Sequence, residues 1–217
     1  METRRFRDRT EAGQLLSERL RSYAGRDDVV VLALPRGGVP VAYEVAKALG
    51  APLGVFVVRK LGVPGHEEVA MGALASGGLV VLDTGVVQRL GIGRNQLEAV
   101  VSREAEELRR REAAYDGRLD PHELQGKTVI LIDDGLATGS TMRAAALAVR
   151  DLDPAKIVVA VPVASQETCD AFRDVVDEIV CEMTPQPFNA VGLWYEDFSQ
   201  TTDEEVRALL ERAEAGR

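Results

Sequence analysis

The fold is decided by one continuous stretch of the chain, Val129-Ile130-Leu131-Ile132-Asp133-Asp134-Gly135-Leu136-Ala137-Thr138-Gly139-Ser140-Thr141. An unbroken apolar run is typical of a strand that is buried on both faces of a parallel sheet. Two adjacent carboxylates end the run, where burying even one unpaired charge is costly. Small and hydroxylated residues then lead directly into helical periodicity. The stretch therefore predicts a buried strand, a polar turn and a helix, with a binding site at the turn.

The turn has the chemistry of a ribose 5-phosphate site. Ionised carboxylates at Asp133 and Asp134 accept charge-assisted hydrogen bonds from both vicinal hydroxyls of a ribose. The backbone N–H groups of residues 137–141 and the positive end of the helix dipole favour a phosphate. The alternative interpretation is an ordinary strand-to-helix turn, capped by Asp134, Thr138 and Ser140. That interpretation leaves the second carboxylate without a role.

Outward from this stretch, short apolar runs alternate with segments of helical periodicity. The alternation predicts an α/β fold, an open and mostly parallel doubly wound sheet with helices on both faces. Ligands bind such sheets at the carboxyl ends of the strands, so the segments that follow strands are the candidate site. The predicted strands are Val29–Leu34, Leu53–Val58, Thr128–Ile132, Ile157–Val161 and Glu178–Cys181, with a hairpin formed by Val69–Ala75 and Leu79–Leu82.

We expect a single domain over residues 1–217, with its core at about 25–185 and a C-terminal hood and tail at about 185–217. The sequence shows no internal repeat and no long linker. A long charged helix is inserted at about 97–111, and Gly117 is predicted to end it. This helix is interpreted as a packing surface or as the face of a homodimer.

Two further segments follow predicted strands and carry cations. Pro35-Arg36-Gly37-Gly38 follows the first strand; its glycines let the backbone approach an anion, and the guanidinium of Arg36 suits phosphate oxygens. Residues 59–68 begin with Arg59-Lys60 and are rich in Gly and Pro, which predicts a loop that closes over a ligand and is mobile without one. Taken alone, these segments are an ordinary tight turn and a solvated loop. Beside the acidic turn, both become anion sites at one edge of the sheet.

Composition and charge narrow the functional class. The chain has 46% hydrophobic residues, and its 26 Lys and Arg against 35 Asp and Glu give a net charge of −9. Because there is no basic stripe, we do not expect nucleic acid as a partner. No apolar run approaches the length of a membrane span, so we expect a cytoplasmic protein without a membrane partner. Cys169 and Cys181 have no CxxC spacing and are expected to be reduced thiols.

The acidic pair followed by Ala137-Thr138-Gly139-Ser140-Thr141 resembles the signature of type I phosphoribosyltransferases. Pro35-Arg36-Gly37-Gly38 is similar to the pyrophosphate loop of that family, and residues 59–72 are similar to its mobile catalytic loop. The order of strands along the chain fits from about residue 25 to 185. The resemblance implies the family's fold and its reaction, transfer of a 5-phosphoribosyl group from phosphoribosyl pyrophosphate to a nitrogenous base, as in nucleotide salvage.

The resemblance also implies a role for each matching residue. Asp133 and Asp134 hold the ribose hydroxyls and, through these or through water, Mg²⁺, and Asp134 is counted with the catalytic residues. Residues 137–141 hold the 5′-phosphate. The residues that meet pyrophosphate are Arg36, Gly37, Gly38, Arg59 and Lys60.

The acceptor is less defined than the donor. The acidic turn and Arg59-Lys60 are similar to adenine phosphoribosyltransferase, and Ala137 stands where the hypoxanthine-guanine enzymes carry Asp. However, the loop glutamate of the adenine enzyme falls on Ala70, so the base stays open. Phe188 and Trp194 follow the last predicted strand and are candidates for stacking on the base; the alternative is that they anchor the tail.

Two other functions fit parts of the pattern. The same fold serves as a non-catalytic sensor of phosphoribosyl pyrophosphate in gene regulation, which would not need the Arg59-Lys60 segment. A phosphatase with Asp133 as its nucleophile would leave the glycine-rich turn at residues 35–38 without a role.

Overall fold

A computed structural model of the protein describes residues 5–115 and 121–216, so the predicted helix end at Gly117 lies outside the described residues. In chain order the strands are β1 (Val29–Ala33), β2 (Leu53–Val55), β3 (Val58–Val63), β4 (His66–Ala75), β5 (Leu79–Leu82), β6 (Thr128–Ile132), β7 (Lys156–Val163) and β8 (Glu178–Met183). The helices are α1 (Arg9–Arg19), α2 (Gly38–Leu49), α3 (Thr84–Arg89), α4 (Arg94–Glu112), α5 (Ser140–Arg150), α6 (Gln166–Phe172) and α7 (Asp203–Ala215).

The central sheet has five parallel strands in the order β2-β1-β6-β7-β8. Alternate residues of each strand enter two different cores, because side chains point to opposite faces of a sheet. In β1, Val29 and Val31 pack with α1, α2 and α7, whereas Val30 and Leu32 pack with α5 and α6. The predicted doubly wound α/β fold is confirmed.

A second, antiparallel sheet has the order β3-β4-β5 and contacts α4 and α5. The predicted strand Leu53–Val58 is therefore wrong as one element, because β2 ends at Val55 and Val58 begins β3 in the other sheet. The predicted hairpin between β4 and β5 is confirmed.

The predicted irregular loop at residues 59–68 is also wrong, since β3 and β4 form a hairpin there. Leu61 and Val63 are buried, so the segment has apolar residues that anchor it. Gly62 lies at an irregularity in the strand register, and Gly65 has a φ of +78° in the turn between the strands. Glycine thus marks a bulge and a turn in this hairpin, rather than an absence of structure.

One face of the inserted helix α4 packs against the core. Its residues Val100 and Leu108 are buried in the same core as Leu61 and Val63 of β3. An amphipathic helix buries such an apolar stripe and leaves its charged face to solvent or to a neighbouring cavity.

Two other features bear on the expectations from sequence. Cys169 of α6 and Cys181 of β8 are joined in a disulfide, so the expectation of reduced thiols is wrong. Sequence spacing could not reveal that α6 packs beside β8.

In the described part of the chain, none of the helices has the length and apolar character needed to cross a membrane.

The bulge at Gly62 can be tested by substitution. A Cβ at this position would lie 2.6 Å from the carbonyl oxygen of Glu67 and 2.8 Å from its Cα. Because both atoms belong to the backbone, we expect Gly62→Ala to lower the free energy of unfolding by about 1–3 kcal/mol in urea denaturation. Gly65→Asn is the control, since Asn tolerates a positive φ and the site is open. Equal stability of the two variants would contradict this account of the hairpin.

Candidate active site

Asp133 and Asp134 lie directly after β6, at the carboxyl edge of the central sheet. The turn that precedes α2 packs against them. A Cβ on Gly37 would lie 2.1 Å from Oδ2 of Asp134, and a Cβ on Gly38 would lie 2.7 Å from the carbonyl oxygen of Ile132. The structure therefore brings the glycine turn and the carboxylate pair together, and both glycines are needed for that close approach.

Asp134 is held by Arg9, the first residue of α1. Nε and Nη2 of Arg9 both lie 2.9 Å from Oδ2 of Asp134, and the two side chains are only 11% and 15% exposed. Nη1 of Arg9 donates to the carbonyl oxygen of Ser199 at 2.7 Å, and its guanidinium lies 4.1 Å from the ring centroid of Phe198. The hydroxyl of Tyr195 donates to the main-chain oxygen of Asp134 at 2.6 Å. Asp134 is thus fixed by the N-terminal helix and the C-terminal segment together.

The carboxylate pair is electrostatically unusual. Burial, and next to it the charge of Asp134, raises the pKa of Asp133 well above its ordinary value. Burial also raises the pKa of Asp134, although Arg9 acts in the opposite direction. One cation therefore serves two neighbouring carboxylates, and Asp133 is left as the group that gains most from a hydrogen-bond donor or a cation.

The turn from Ala137 to Thr141 opens α5 and is exposed apart from Gly139. The first N–H groups of an α-helix have no intrahelical acceptor, so an exposed helix start suits an anion. Gly139 has a φ of +70°, and a Cβ there would lie 2.6 Å from Phe172 of α6. The hydroxyl of Thr168, also in α6, donates to the carbonyl oxygen of Ala137 at 3.1 Å. Helix α6 thus holds the turn in place through a hydrogen bond from Thr168 and the packing of Phe172.

A cavity of about 440 Å³ lies beside this turn, and we call it the cleft. It brings together four residues that the sequence selected, Asp133, Thr141, Arg59 and Lys60. The cleft is lined by Leu34, Pro35, Phe56, Val57, Val58, Arg59, Lys60, Gly62, Glu67, Arg103, Glu104, Arg111, Asp133 and Thr141.

In the cleft, Arg59 is paired with a carboxylate of α4. Its Nη2 and Nε lie 2.7 and 3.0 Å from Oε2 of Glu104, whose side chain is 12% exposed. The other oxygen of Glu104 accepts from Nε of Arg103 at 3.2 Å. Arg59, which the sequence predicts to bind pyrophosphate, is therefore already paired with an anionic side chain of the protein, that of Glu104.

Other selected residues lie outside the cleft. Arg36 lines a neighbouring cavity and approaches Asp203 at 3.8 Å. Phe188 and Trp194 pack on the cluster formed by Phe6 and Tyr195, and the cleft is lined without them.

Sequence reasoning missed Arg9 and Glu104. Arg9 is 125 residues from its partner Asp134, and Glu104 is 45 residues from Arg59. No spacing rule connects such pairs, so only the assembled fold could reveal them.

Comparison with known proteins agrees with this geometry. A family model described as the phosphoribosyl transferase domain matches residues 9–193. The chain belongs to this family. The resemblance to type I phosphoribosyltransferases, which was inferred from the sequence motifs, is confirmed.

The "Putative phosphoribosyl transferase Rv0571c" of Mycobacterium tuberculosis is 45% identical over 208 residues, which are 96% of this chain and 47% of that protein. The chain thus spans about half the length of the curated relatives that it matches. The crystal structure of TT1426 from Thermus thermophilus is 43% identical, with a TM-score of 0.87 and coverage of 96% of this chain and 98% of that one. AQ2163 from Aquifex aeolicus shares the fold at 15% identity and a TM-score of 0.50, covering 85% of this chain and 78% of that one.

In this phosphoribosyl transferase domain, Arg9→Met tests the buried ion pair. The substitution leaves the Asp134 carboxylate without its cation, so we expect the free energy of unfolding to fall by about 3 kcal/mol near pH 7, the lower end of the effect of breaking a buried pair. The pKa of Asp134 then rises further in the folded chain. A carboxyl with a higher pKa in the folded than in the unfolded chain loses stability as pH rises, so the penalty should be smaller at about pH 5.

Urea denaturation at both pH values measures the effect. Arg7→Met is the matched control, because Arg7 lies in the same segment with an exposed side chain. A penalty for Arg9→Met that does not change with pH, or that Arg7→Met shares, would contradict the assignment.

Proposed function

We propose that the chain transfers a 5-phosphoribosyl group from phosphoribosyl pyrophosphate to a nitrogen of a nucleobase-like acceptor and releases pyrophosphate. The observation that carries the proposal is the placement of Asp133, Arg59 and Lys60 around one cleft at the edge of the sheet. A carboxylate suited to ribose hydroxyls thus faces cations suited to a diphosphate. Membership of the phosphoribosyl transferase family supports the same reaction class.

The donor fits the site group by group. Its 5′-phosphate is assigned to the exposed turn at residues 137–141, where the helix start favours an anion. Its ribose hydroxyls are assigned to Asp133 and to the oxygen of Asp134 that Arg9 does not hold. Its diphosphate is assigned to the backbone of Gly37 and Gly38 and to the side chains of Arg59 and Lys60. Arg36 keeps its proposed role in pyrophosphate binding only if its side chain turns from the neighbouring cavity toward the cleft.

The carboxylate pair also fits the magnesium that the family implies. Among the described residues, no three His, Cys, Asp or Glu side chains form a metal cage. Mg²⁺ does not require one, because it retains waters and is held through one or two carboxylates and substrate phosphates. Asp133 and Asp134 would hold it through water or through the ribose hydroxyls. Bound there, the ion would neutralise charge on the leaving diphosphate.

The residues of the chain contribute by binding and orientation. The departing diphosphate gains negative charge as its bond to the ribose breaks, and preorganised cations stabilise that charge in the transition state. We propose this role for Arg59 and Lys60, which both belong to β3. The hairpin of β3 and β4 forms one wall of the cleft, so it would shield a bound donor from water on that side. No protein nucleophile is needed for the transfer.

The acceptor is proposed to be a nitrogenous base. Phe188 and Trp194 are kept as candidates for contact with it from the C-terminal segment, although Phe56 is the aromatic residue that lines the cleft. We further propose that residues 1–217 form a single domain and that the protein is cytoplasmic. The exposed face of α4 is proposed as the interface of a homodimer.

The proposal predicts diphosphate release from phosphoribosyl pyrophosphate and Mg²⁺ in the presence of one member of a panel of bases. Asp133→Asn should weaken donor binding by about 1.5–3 kcal/mol in calorimetric titration, since it removes a charged hydrogen-bond acceptor. Asp151→Asn, at the exposed end of α5, should bind the donor as the wild type does. Donor binding without turnover on any base would favour a regulatory sensor. No donor binding at all would overturn the proposal.

Glu104→Gln tests the charge balance of the cleft. The substitution removes the anion that neutralises Arg59 and would repel a diphosphate. We therefore expect the affinity for inorganic diphosphate to rise by about threefold, a change within the range measured for ion pairs that solvent reaches. Glu106→Gln removes the same charge from an exposed position of α4 and should leave the affinity nearly unchanged. Weaker binding by Glu104→Gln would instead mean that Glu104 holds Arg59 in its binding position.

A further inference from the structure

A second cavity, of about 310 Å³, lies next to the cleft. Arginines of two elements meet there: Arg36 comes from the turn before α2, and Arg110 and Arg111 come from the last turn of α4. We call this cavity the arginine cavity. Its lining residues are Pro35, Arg36, Arg110, Arg111, Ala114, Tyr115 and Asp203.

The local charge of the arginine cavity is opposite to that of the chain. Three guanidinium groups line it, and among the residues that the structure describes, the carboxylates that contact them are those of Glu107 and Asp203. Over the described residues, these groups sum to one positive charge, in a chain whose net charge is −9. Such a local excess of cations favours an anion over a neutral or cationic ligand.

The two carboxylates leave most of the guanidinium donors available. Arg110 donates to Glu107 through Nε and Nη2, and Arg111 donates to the same carboxylate through Nε. Sharing between the two arginines lowers the pKa of Glu107 to about 2. A guanidinium has five N–H donors, so each arginine retains donors that Glu107 does not use.

Arg36 is the least satisfied of the three arginines. Its contact with Asp203, at 3.8 Å, is longer than a hydrogen bond. Asp203 already accepts a hydrogen bond from the hydroxyl of Tyr115 at 2.8 Å. Arg36 is therefore able to exchange this loose ion pair for a closer anion.

We propose that the arginine cavity is a second phosphate-binding site, separate from the donor site, which takes a phosphoryl group that is either free or part of an organic phosphate. Planar guanidinium groups match phosphoryl oxygens in pairs, and three of them converge here. Pro35 and Arg111 line both cavities, so a ligand in the arginine cavity adjoins the cleft. Its role as a subsite of the transfer reaction rests on the proposed function, but phosphate binding itself does not.

The experiment titrates the full chain with inorganic phosphate and, in parallel, with phenyl phosphate. The arginine Nε–H signals in ¹H–¹⁵N spectra report which side chains respond. In the wild type, we expect the Arg36 signal to shift saturably. Arg110→Gln should weaken that binding by about threefold, because an exposed charge pair is lost. Arg109→Gln is the matched control, since this adjacent arginine of α4 is exposed and lies outside the cavity lining.

The outcomes separate a site from a general charge effect. Equal weakening by Arg109→Gln and Arg110→Gln, or an Arg36 signal that does not move, would overturn the proposal. Weakening for both probes would indicate a site for the phosphoryl group alone, and weakening for phenyl phosphate only would indicate an organic phosphate.

The donor provides the second arm. Arg110→Gln should bind phosphoribosyl pyrophosphate as tightly as the wild type does, and a parallel loss of donor affinity would overturn the separation of the two sites. If the wild type fails to bind the donor, the proposed function fails while the phosphate titration still decides the fate of the arginine cavity.

Discussion

The constraint on which the site depends is the burial of two adjacent carboxylates at the end of β6. Placing two like charges side by side in a partly buried position is unfavourable unless a cation and hydrogen bonds compensate. Arg9 supplies the cation for Asp134, and Tyr195 and Ser199 connect the same group to the C-terminal segment. The main chain continues this connection, since Phe6 donates to the carbonyl of Trp194 and accepts from Glu196, each at 2.8 Å. The two ends of the domain are therefore joined at the carboxylate pair.

The local parts of the fold could be predicted from sequence, and the long-range parts could not. The bounds of β6 match the predicted ones, and α5 follows the polar turn as predicted, because an apolar run, a polar turn and a helix start are all encoded by neighbouring residues. The β3–β4 hairpin could not be predicted, because Gly62 and Gly65 indicate a loop when only the sequence is known. Their roles as a bulge and a turn depend on the strand that pairs with β3. The disulfide depends in the same way on the packing of α6 beside β8.

The residues of the site also differ in whether the sequence could predict them. Motifs identified Asp133, Arg59 and Lys60, and the fold places them around one cleft. The partners of these residues have no motif, since Arg9 and Glu104 reach the site from other elements, across 125 and 45 residues of chain. Arg36 shows the limit of a motif most directly: its neighbours Gly37 and Gly38 pack on the carboxylates, yet its own side chain extends into another cavity. A backbone motif predicts where a turn lies, but it does not predict where a long side chain of that turn points.

Two ion pairs of different kinds lie at the site, one inside the cleft and one beside Asp133, which lines it. Asp134 is fixed by Arg9 in a nearly buried pair, with both Nε and Nη2 on one carboxylate oxygen and the guanidinium stacked near Phe198. Arg59 is paired with Glu104 in a more accessible contact, in which the arginine is 28% exposed. Withdrawal of Arg9 would leave Asp134 without a cation, which is costly. When a diphosphate takes the place of Glu104 on Arg59, one anion replaces another, and Glu104 keeps the hydrogen bond from Nε of Arg103. Asp134 is therefore held in one fixed place, which suits the ribose that is proposed to bind there. The pair of Arg59 and Glu104 suits the proposed reaction in another way, since Arg59 can exchange Glu104 for the diphosphate of the proposed donor and recover it when the diphosphate leaves.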